Sequence, residues 1–517
     1  MHWIDAVASE ILKNKENVIA SGTSISGMIH IGNLTDVIIA EGVHRALIEK
    51  NGKSRLLWIM DDMDPLRKVP PQLPKEYERY IGNPVSSIMW SQEESFTEHS
   101  TKSFLNAMEN IGIRPEVVSG ADMYRKGMYD EAIRISLQRA SDIRQIFAEV
   151  SGSKRSESWL PFNPVCENCG KIATTEATGF EGDSVYYRCN EGVAGKQRIE
   201  GCGYEGKTSI RSGKLTWRVE WAARWKILGV TCEPFGKEHA AAGGSYDTSK
   251  RISEEIFGYP APYPLIYEHI LVAGKKMSKS LGNIITLEEL LEVLPPEVVR
   301  YFFFRVKPTT HKDFDMDREI LKLVREYERL ERLYFGVESP SKGEDVEELR
   351  RIYELSQVSV PGSYSQVPYA HLAIVVQIST DEREIFRMLE RTGYPMNEQR
   401  QERVRKLLPL VENFLNTKAS ESVRFTVKVV ITEEEKIRLE PYSQALADVA
   451  QSVVTAEDED KLTDHIYECA KNHGIAPKDL FRAIYNLILG QDGGPKAGTL
   501  LLSLDSDFVV KRLMLKG

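Results

Sequence analysis

Cysteine is scarce: six residues in 517, four of them between positions 166 and 202. Six are too few for a disulfide framework in a chain this long, so the cluster reads as metal ligands in a reducing compartment. Long apolar runs are missing as well. No stretch reaches the roughly 18 apolar residues of a membrane span, and Met1-His2-Trp3-Ile4-Asp5 has neither the basic nor the apolar region of a signal peptide, so a soluble, cytoplasmic protein without membrane contact is expected. Positive charge is not in excess either. The balance of 67 Lys and Arg against 76 Asp and Glu gives a net charge of -9, which excludes a general nucleic-acid coat but allows a local basic track. What remains is 42% hydrophobic residues, enough for a sizeable core divided among about three domains.

The chain opens with an α/β pattern. Asn17-Val18-Ile19-Ala20-Ser21-Gly22 reads as a buried strand, followed by the turn Thr23-Ser24-Ile25-Ser26-Gly27 and a helical pattern to about Lys50. At the junction stands Met28-Ile29-His30-Ile31-Gly32-Asn33-Leu34. A strand, a glycine turn and a helix start together make an anion site, because unpaired backbone N–H groups and the positive end of the helix dipole face the ligand. His30 can donate to a phosphoryl oxygen, and Gly32 leaves room for a nucleotide against the backbone. A second strand, Ser54-Arg55-Leu56-Leu57-Trp58-Ile59-Met60, runs into Asp61-Asp62-Met63-Asp64-Pro65, whose carboxylates are placed to meet a cation or a ribose, or to form a solvated acidic turn. Helical patterns over 96–111 and 122–150 flank a short strand near Glu116-Val117-Val118.

Residues 151–210 break the alternation. Cys166 and Cys169 form a Cys-x2-Cys pair, and Cys189 and Cys202 complete four thiolates for one tetrahedral zinc in a ribbon-like insertion. The second pair is spread over twelve intervening residues, so a loop over 191–198 is expected to bulge out. A closed set of four cysteines leaves no open position, which makes such a zinc structural.

The α/β pattern resumes with Trp217 to Trp225, the loop Pro234-Phe235-Gly236-Lys237-Glu238-His239, and Gly243-Gly244-Ser245-Tyr246-Asp247. A strand over 265–271 then delivers Lys275-Lys276-Met277-Ser278-Lys279-Ser280-Leu281-Gly282. Two lysines three apart, among small and hydroxyl residues and flanked by glycines, suit a cationic loop that grips a polyphosphate. Beyond Pro295 the pattern is helical, with stretches at 346–355, 369–392, 397–418, 433–451 and 461–474.

His30-Ile31-Gly32-Asn33 followed some 245 residues later by Lys276-Met277-Ser278-Lys279-Ser280 resembles the HIGH and KMSKS signatures of class I aminoacyl-tRNA synthetases, with Asn33 in place of the final histidine. Within that class the chain resembles the class I, archaeal-type lysyl-tRNA synthetases, on Gly22 to Gly27, Asp61 to Pro70, Trp217 to Trp225, Gly236 to His239 with Ser245-Tyr246-Asp247, and Leu489-Gly490-Gln491-Asp492-Gly493-Gly494-Pro495. The resemblance implies a Rossmann-type parallel-sheet catalytic domain over 1–150 and 214–338, split by a zinc-binding insertion over 151–213. An all-α anticodon-binding domain over 339–517 follows. It implies ATP-dependent activation of L-lysine to lysyl-adenylate and transfer to tRNA(Lys), with Mg2+ assisting and Zn2+ structural. Ser26, Gly27, His30, Gly32, Asn33, Lys276, Met277, Ser278, Lys279 and Ser280 would hold ATP, with His30, Lys276 and Lys279 catalytic. Gly22, Ser24, Asp36, Trp221, His239 and Tyr267 would line the lysine pocket. Glutamate-specific relatives place an arginine on the first strand; Val18-Ile19-Ala20-Ser21 has none there, while Asp36 matches a position where the lysine family carries an acid. A synthetase for glutamate or arginine and a non-catalytic RNA-binding paralogue are the alternatives.

Overall fold

Five parallel strands form the central sheet, in the spatial order Tyr263–Tyr267, Cys232–Gly236, Asn17–Thr23, Ser54–Met60, Glu116–Ser119. The computed structural model describes every residue except 26, 28, 70–73, 273, 278–283, 317–318, 422, 457 and 517, and only the backbone of Lys276. Of the residues singled out above, Ser26, Ser278, Lys279 and Ser280 therefore lie outside the described residues.

The first strand, Asn17–Thr23, is buried along nearly its whole length, as an interior strand covered on both faces must be. It pairs in register with Ser54–Met60 on one side and with Cys232–Gly236 on the other. Strand order thus reverses at the first strand, and in open α/β sheets that reversal opens a crevice at the carboxyl ends of the strands. The helix Ile31–Glu49 enters from that edge. It packs on the first, second and fourth strands and on the N-terminal helix Trp3–Ile11, which explains why Ile31, Leu34, Val37, Ile38 and Val43 are buried on several of its sides.

Two expected elements divide. The strand anticipated over 265–271 is Tyr263–Tyr267 in the parallel sheet plus Ile270–Val272, which pairs with Lys275–Lys276 and Lys312–Phe314 in a second small sheet. The break falls where the Glu268 amide donates to the Pro308 carbonyl (2.9 Å) and its carboxylate takes Lys237 (2.6 Å). The helix anticipated over 122–150 is three helices, Gly120–Arg125, Asp130–Gln138 and Ala140–Ser151. Gly127, at φ +74°, makes the first interruption in a conformation that side chains resist.

The insertion is pinned at its root by antiparallel pairing of Phe162–Pro164 with Gly213–Leu215. It carries a three-stranded antiparallel sheet (Thr175–Glu181, Ser184–Cys189, Glu205–Ser209), and the expected bulge is a β-hairpin, Glu191–Ala194 with Gln197–Glu200.

The chain divides into two compact units. The first comprises Met1–Leu290, Val299–Phe314 and Glu354–Val358; the second comprises Leu291–Val298, Asp315–Tyr353 and Ser359–Gly517. The described residues of the second unit form helices, with a core that includes Ile374, Leu446, Ile466, Ile484 and Leu500. No helix among the described residues is long and apolar enough to cross a membrane.

Candidate active site

His30 is the N-cap of Ile31–Glu49. Its Nδ1 accepts the Gly32 amide (3.1 Å), and the Asn33 side-chain oxygen accepts the His30 amide (3.1 Å), a reciprocal capping box. A ring whose Nδ1 accepts carries its proton on Nε2, the arrangement needed to donate to an anion. Asn33 in place of a histidine is thereby explained: its short amide closes the box. Gly32 is obligatory for the same geometry, because a Cβ there would lie 2.8 Å from His30 Cε1 and 3.4 Å from Met277 Cε. The methionine of the lysine loop thus covers the glycine of the helix start. The Ile31 amide also donates to the Ile285 carbonyl (3.0 Å), so the two motifs meet from both ends of the loop.

One cavity of about 310 Å³ lies at the crevice. His30, Gly32, Asn33 and Met277 border it, together with Gly22, Asp36, Trp221, His239 and Tyr267. Ser24 is not among the lining residues; its hydroxyl donates to Asp64 (3.2 Å). Gly27 is described but does not line the cavity.

The walls are aromatic and acidic. Trp217, Trp221 and Phe235 form an apolar surface, Trp217 and Trp221 stacking at 5.1 Å, with His239 against both indoles. Four carboxylates line the same space: Asp36, Asp61, Glu233 and Glu238. Tyr267 donates to Asp36 (2.6 Å). Burial raises the Asp36 carboxyl well above the usual carboxylate range; the tyrosine bond opposes that rise, and the charges of Glu233 and Glu238 add to it. Glu233 accepts the indole N–H groups of Trp221 (3.1 Å) and Trp225 (2.6 Å), and burial raises it too. Burial lowers His239, which favours its neutral form. Against these acids the cavity offers one guanidinium, Arg224, and it binds Asp61 at 2.5 Å with only 3% of its side chain exposed.

The other carboxylates after the second strand are also engaged. Asp62 accepts the Ser119 hydroxyl (2.6 Å) and the Ala121 amide (2.8 Å). Asp64 binds Lys214 (2.7 Å), whose ammonium also meets Glu220 (2.8 Å). These groups build the floor of the crevice instead of presenting a solvated turn. Reading the sequence alone missed Arg224, Glu233 and Trp217. The spacing 217, 221, 224, 225 places Trp217, Trp221, Arg224 and Trp225 on one face of a helix, Trp217–Leu228, whereas Glu233 comes from the strand Cys232–Gly236.

In the insertion, the sulfurs of Cys166, Cys169, Cys189 and Cys202 all lie within 4.8 Å of one another. The Cys166–Cys202 and Cys169–Cys189 separations are 3.6 and 3.7 Å. Four sulfurs about 2.3 Å from a tetrahedral zinc stand roughly 3.8 Å apart, so the donor set and spacing fit that ion. The Thr174 hydroxyl (3.2 Å) and the Cys202 amide (3.4 Å) both approach Cys189 Sγ, the outer contacts that a metal-bound thiolate uses.

A family described as tRNA synthetases class I (K) matches residues 1–359. The lysine-tRNA ligase of Methanosphaera stadtmanae is 40% identical over 541 aligned residues, covering 100% of this chain and 99% of that protein. The lysine-tRNA ligase of Archaeoglobus fulgidus is 40% identical over 519 residues, covering 99% of each. Among solved structures, a glutamate tRNA ligase from Elizabethkingia meningosepticum gives a TM-score of 0.42 at 12% identity, covering 96% of this chain and 98% of that one. The matched family and the full-length relatives place the chain among the class I tRNA synthetases. The chain belongs to the class I (K) family of those enzymes, the family matched over its first 359 residues.

Proposed function

We infer that this protein is a lysine-tRNA ligase. It activates L-lysine with ATP to lysyl-adenylate and transfers the lysyl group to tRNA(Lys), releasing AMP and diphosphate. Full-length relatives named for that reaction support the reading. The observation that carries it is the charge of the cavity. Four carboxylates face one arginine, and that arginine is already bound to Asp61. A cationic side chain with an aliphatic stem suits such a space, since the aromatics pack on methylenes and attract the ammonium. Among the described residues a glutamate side chain would meet a single guanidinium, Arg224, already bound to Asp61, and burying its carboxylate unpaired would cost several kcal/mol.

The two ends of the site divide the work. The lysine α-carboxylate oxygen attacks the α-phosphorus of ATP as the bond to the pyrophosphate oxygen breaks, and a terminal ribose hydroxyl of the tRNA then takes the acyl group. Transfer of this kind needs positioning and charge stabilisation more than covalent help. His30 Nε2–H and the helix start stabilise the α-phosphate, beside Gly32 and Asn33; Lys276 and Lys279 hold the departing pyrophosphate, with Met277 seated over Gly32. Mg2+ carried by ATP would supply further positive charge to the phosphates that Lys276 and Lys279 grip. Asp36 and Glu233 meet the ammonium; Trp221, His239 and Tyr267 shape its channel. Residues 1–150 and 214–338 perform catalysis, 151–213 hold a structural Zn2+, and 339–517 bind the anticodon. The reaction places the enzyme in the cytoplasm.

Amino-acid-dependent ATP–pyrophosphate exchange, run with each amino acid in the presence of total tRNA, tests the assignment. Exchange with lysine alone is expected. Exchange with glutamate or arginine instead, or with none, overturns it.

A further inference from the structure

The small sheet that leads into the lysine loop has a lysine on its buried face. In the strand Lys312–Phe314 exposure alternates: Lys312 and Phe314 are buried, and Asp313 between them is exposed. Ile270 stands opposite Lys312 in the parallel ladder, and Phe302 packs on Phe314 at 5.3 Å, so the neighbours on that face are apolar. Lys312 is 3% exposed, and its ammonium makes no hydrogen bond or ion pair among the described residues. Burial, joined by the like charge of Arg305, holds the amine down to about 8. Buried ammonium groups are ordinarily paired, because an unpaired one keeps only the cost of leaving water.

The row in which Lys312 stands leads to the catalytic cavity. On the other side of Ile270–Val272, Leu271 pairs with Lys276 and Val272 with Lys275, and that antiparallel register, continued by one residue, sets Met277 opposite Ile270. Side chains of one row share a face of the sheet. Met277, Ile270 and Lys312 thus form one row, and the first two border the cavity, Met277 with its Cε against Gly32 at the helix start. Neighbouring strands stand about 4.8 Å apart, a separation that a lysine stem spans. No carboxylate accompanies this ammonium, so the partner that completes it is an anion carried by a ligand. We propose that Lys312 binds a phosphate of ATP, a third lysine at the phosphate end beside Lys276 and Lys279. Its backbone is fixed in the ladder, so the charge is in place before the nucleotide arrives and needs no reorganisation as the α-phosphorus is attacked. The proposal rests on the synthetase reading, which supplies the nucleotide.

The test compares full-length Lys312→Met with wild type in lysine-dependent ATP–pyrophosphate exchange, with tRNA present and with ATP, pyrophosphate and lysine varied in turn. The substitution removes a buried charge and strands no carboxylate, so the melting temperature is expected to equal or exceed that of wild type. The KM values for ATP and pyrophosphate are expected to rise at least tenfold, while the KM for lysine stays within twofold. Adenosine, which has no phosphate, is expected to inhibit both proteins equally. Unchanged KM values for ATP and pyrophosphate overturn the proposal. So does an equal loss for adenosine and ATP, which would make Lys312 a structural residue or a contact to the nucleoside, and so does a rise confined to the KM for tRNA, which would make the anion an RNA phosphate. Wild-type exchange reports separately on the synthetase reading. If wild type exchanges and the variant matches it, Lys312 alone is overturned; if wild type exchanges with no amino acid, the proposal falls with that reading.

Discussion

Asp61 holds Arg224 at 2.5 Å, across 163 positions of sequence, with 13% and 3% of their side chains exposed. This pair sets the sign of the cavity. Neutralised by Asp61, Arg224 leaves Asp36, Glu233 and Glu238 as an acidic surround; released, it would be a cation beside Gly22, where its Nη2 lies 3.8 Å from the position a Cβ would take. Asp61→Asn is accordingly expected to raise KM for lysine at least tenfold, equivalent to about 1.4 kcal/mol. It is also expected to bring measurable glutamate-dependent pyrophosphate exchange. An unchanged KM for lysine would show that the pair only supports the floor of the site.

Asp36 gives the site a pH dependence of fixed sign. Burial raises its carboxyl well above the usual range, so below that raised value the free enzyme carries it protonated. An ammonium demands the carboxylate, and lysine binding therefore releases a proton. Lysine affinity is expected to rise with pH through the Asp36 titration and level off above it, as calorimetry across pH would show. Folding stability runs the other way: between the unfolded value and the raised folded one the native state binds more protons, so this group's contribution is lost as pH rises. Asp36→Asn is expected to weaken lysine and to flatten the affinity profile. A profile unchanged in that variant would remove Asp36 from ammonium binding.

Gly32→Ala separates activity from stability. Replacing glycine by alanine inside a helix usually gains up to about 1 kcal/mol, and losing a cap costs about the same. Here the added methyl would sit 2.8 Å from His30 Cε1 and 2.9 Å from Nδ1, so the ring must turn away and the cap bond break. The melting temperature is expected to stay within about 4 °C of wild type. The rate of adenylate formation in a single turnover should fall by about 10²-fold or more, the scale of losing one preorganised donor. A normal rate would show that His30 is not held for catalysis.

How far the sequence reveals this depends on how local each interaction is. The capping box is written within four residues, and the cysteine spacing announced its sulfur cluster. The Asp61–Arg224 and Asp64–Lys214 pairs could not be read there, since nothing in either segment specifies a partner 163 or 150 residues away. Helical periodicity in the last third marked the helices but blurred their ends. The stretch at 369–392 is Tyr369–Val375 and Glu382–Arg391, the second begun by Asp381, whose carboxylate accepts the Glu384 amide (3.0 Å). A run of Ser, Thr and Asp before an acidic first turn was the signal there, outweighed by the apolar spacing around it.

The sulfur cluster yields the last expectation. Cys189 is fully buried, ends the strand Ser184–Cys189, and is the sulfur approached by both Thr174 and the Cys202 amide. Around it the apolar core is small: Cys166, Tyr187 and Cys189 are its buried members, with Cys169 partly buried against them. Such a module relies on its metal, because structural zinc contributes on the order of 10 kcal/mol in small domains of this kind. The purified chain is expected to carry about one zinc, and Cys189→Ser to carry almost none, by elemental analysis. Loss of the ion should unfold the insertion locally while Phe162–Pro164 and Gly213–Leu215 remain paired at its root, so protease cleavage is expected between residues 166 and 209. Protection of that segment in a zinc-free chain would mean that its strands hold the fold unaided and that the four thiols are ordinary buried cysteines.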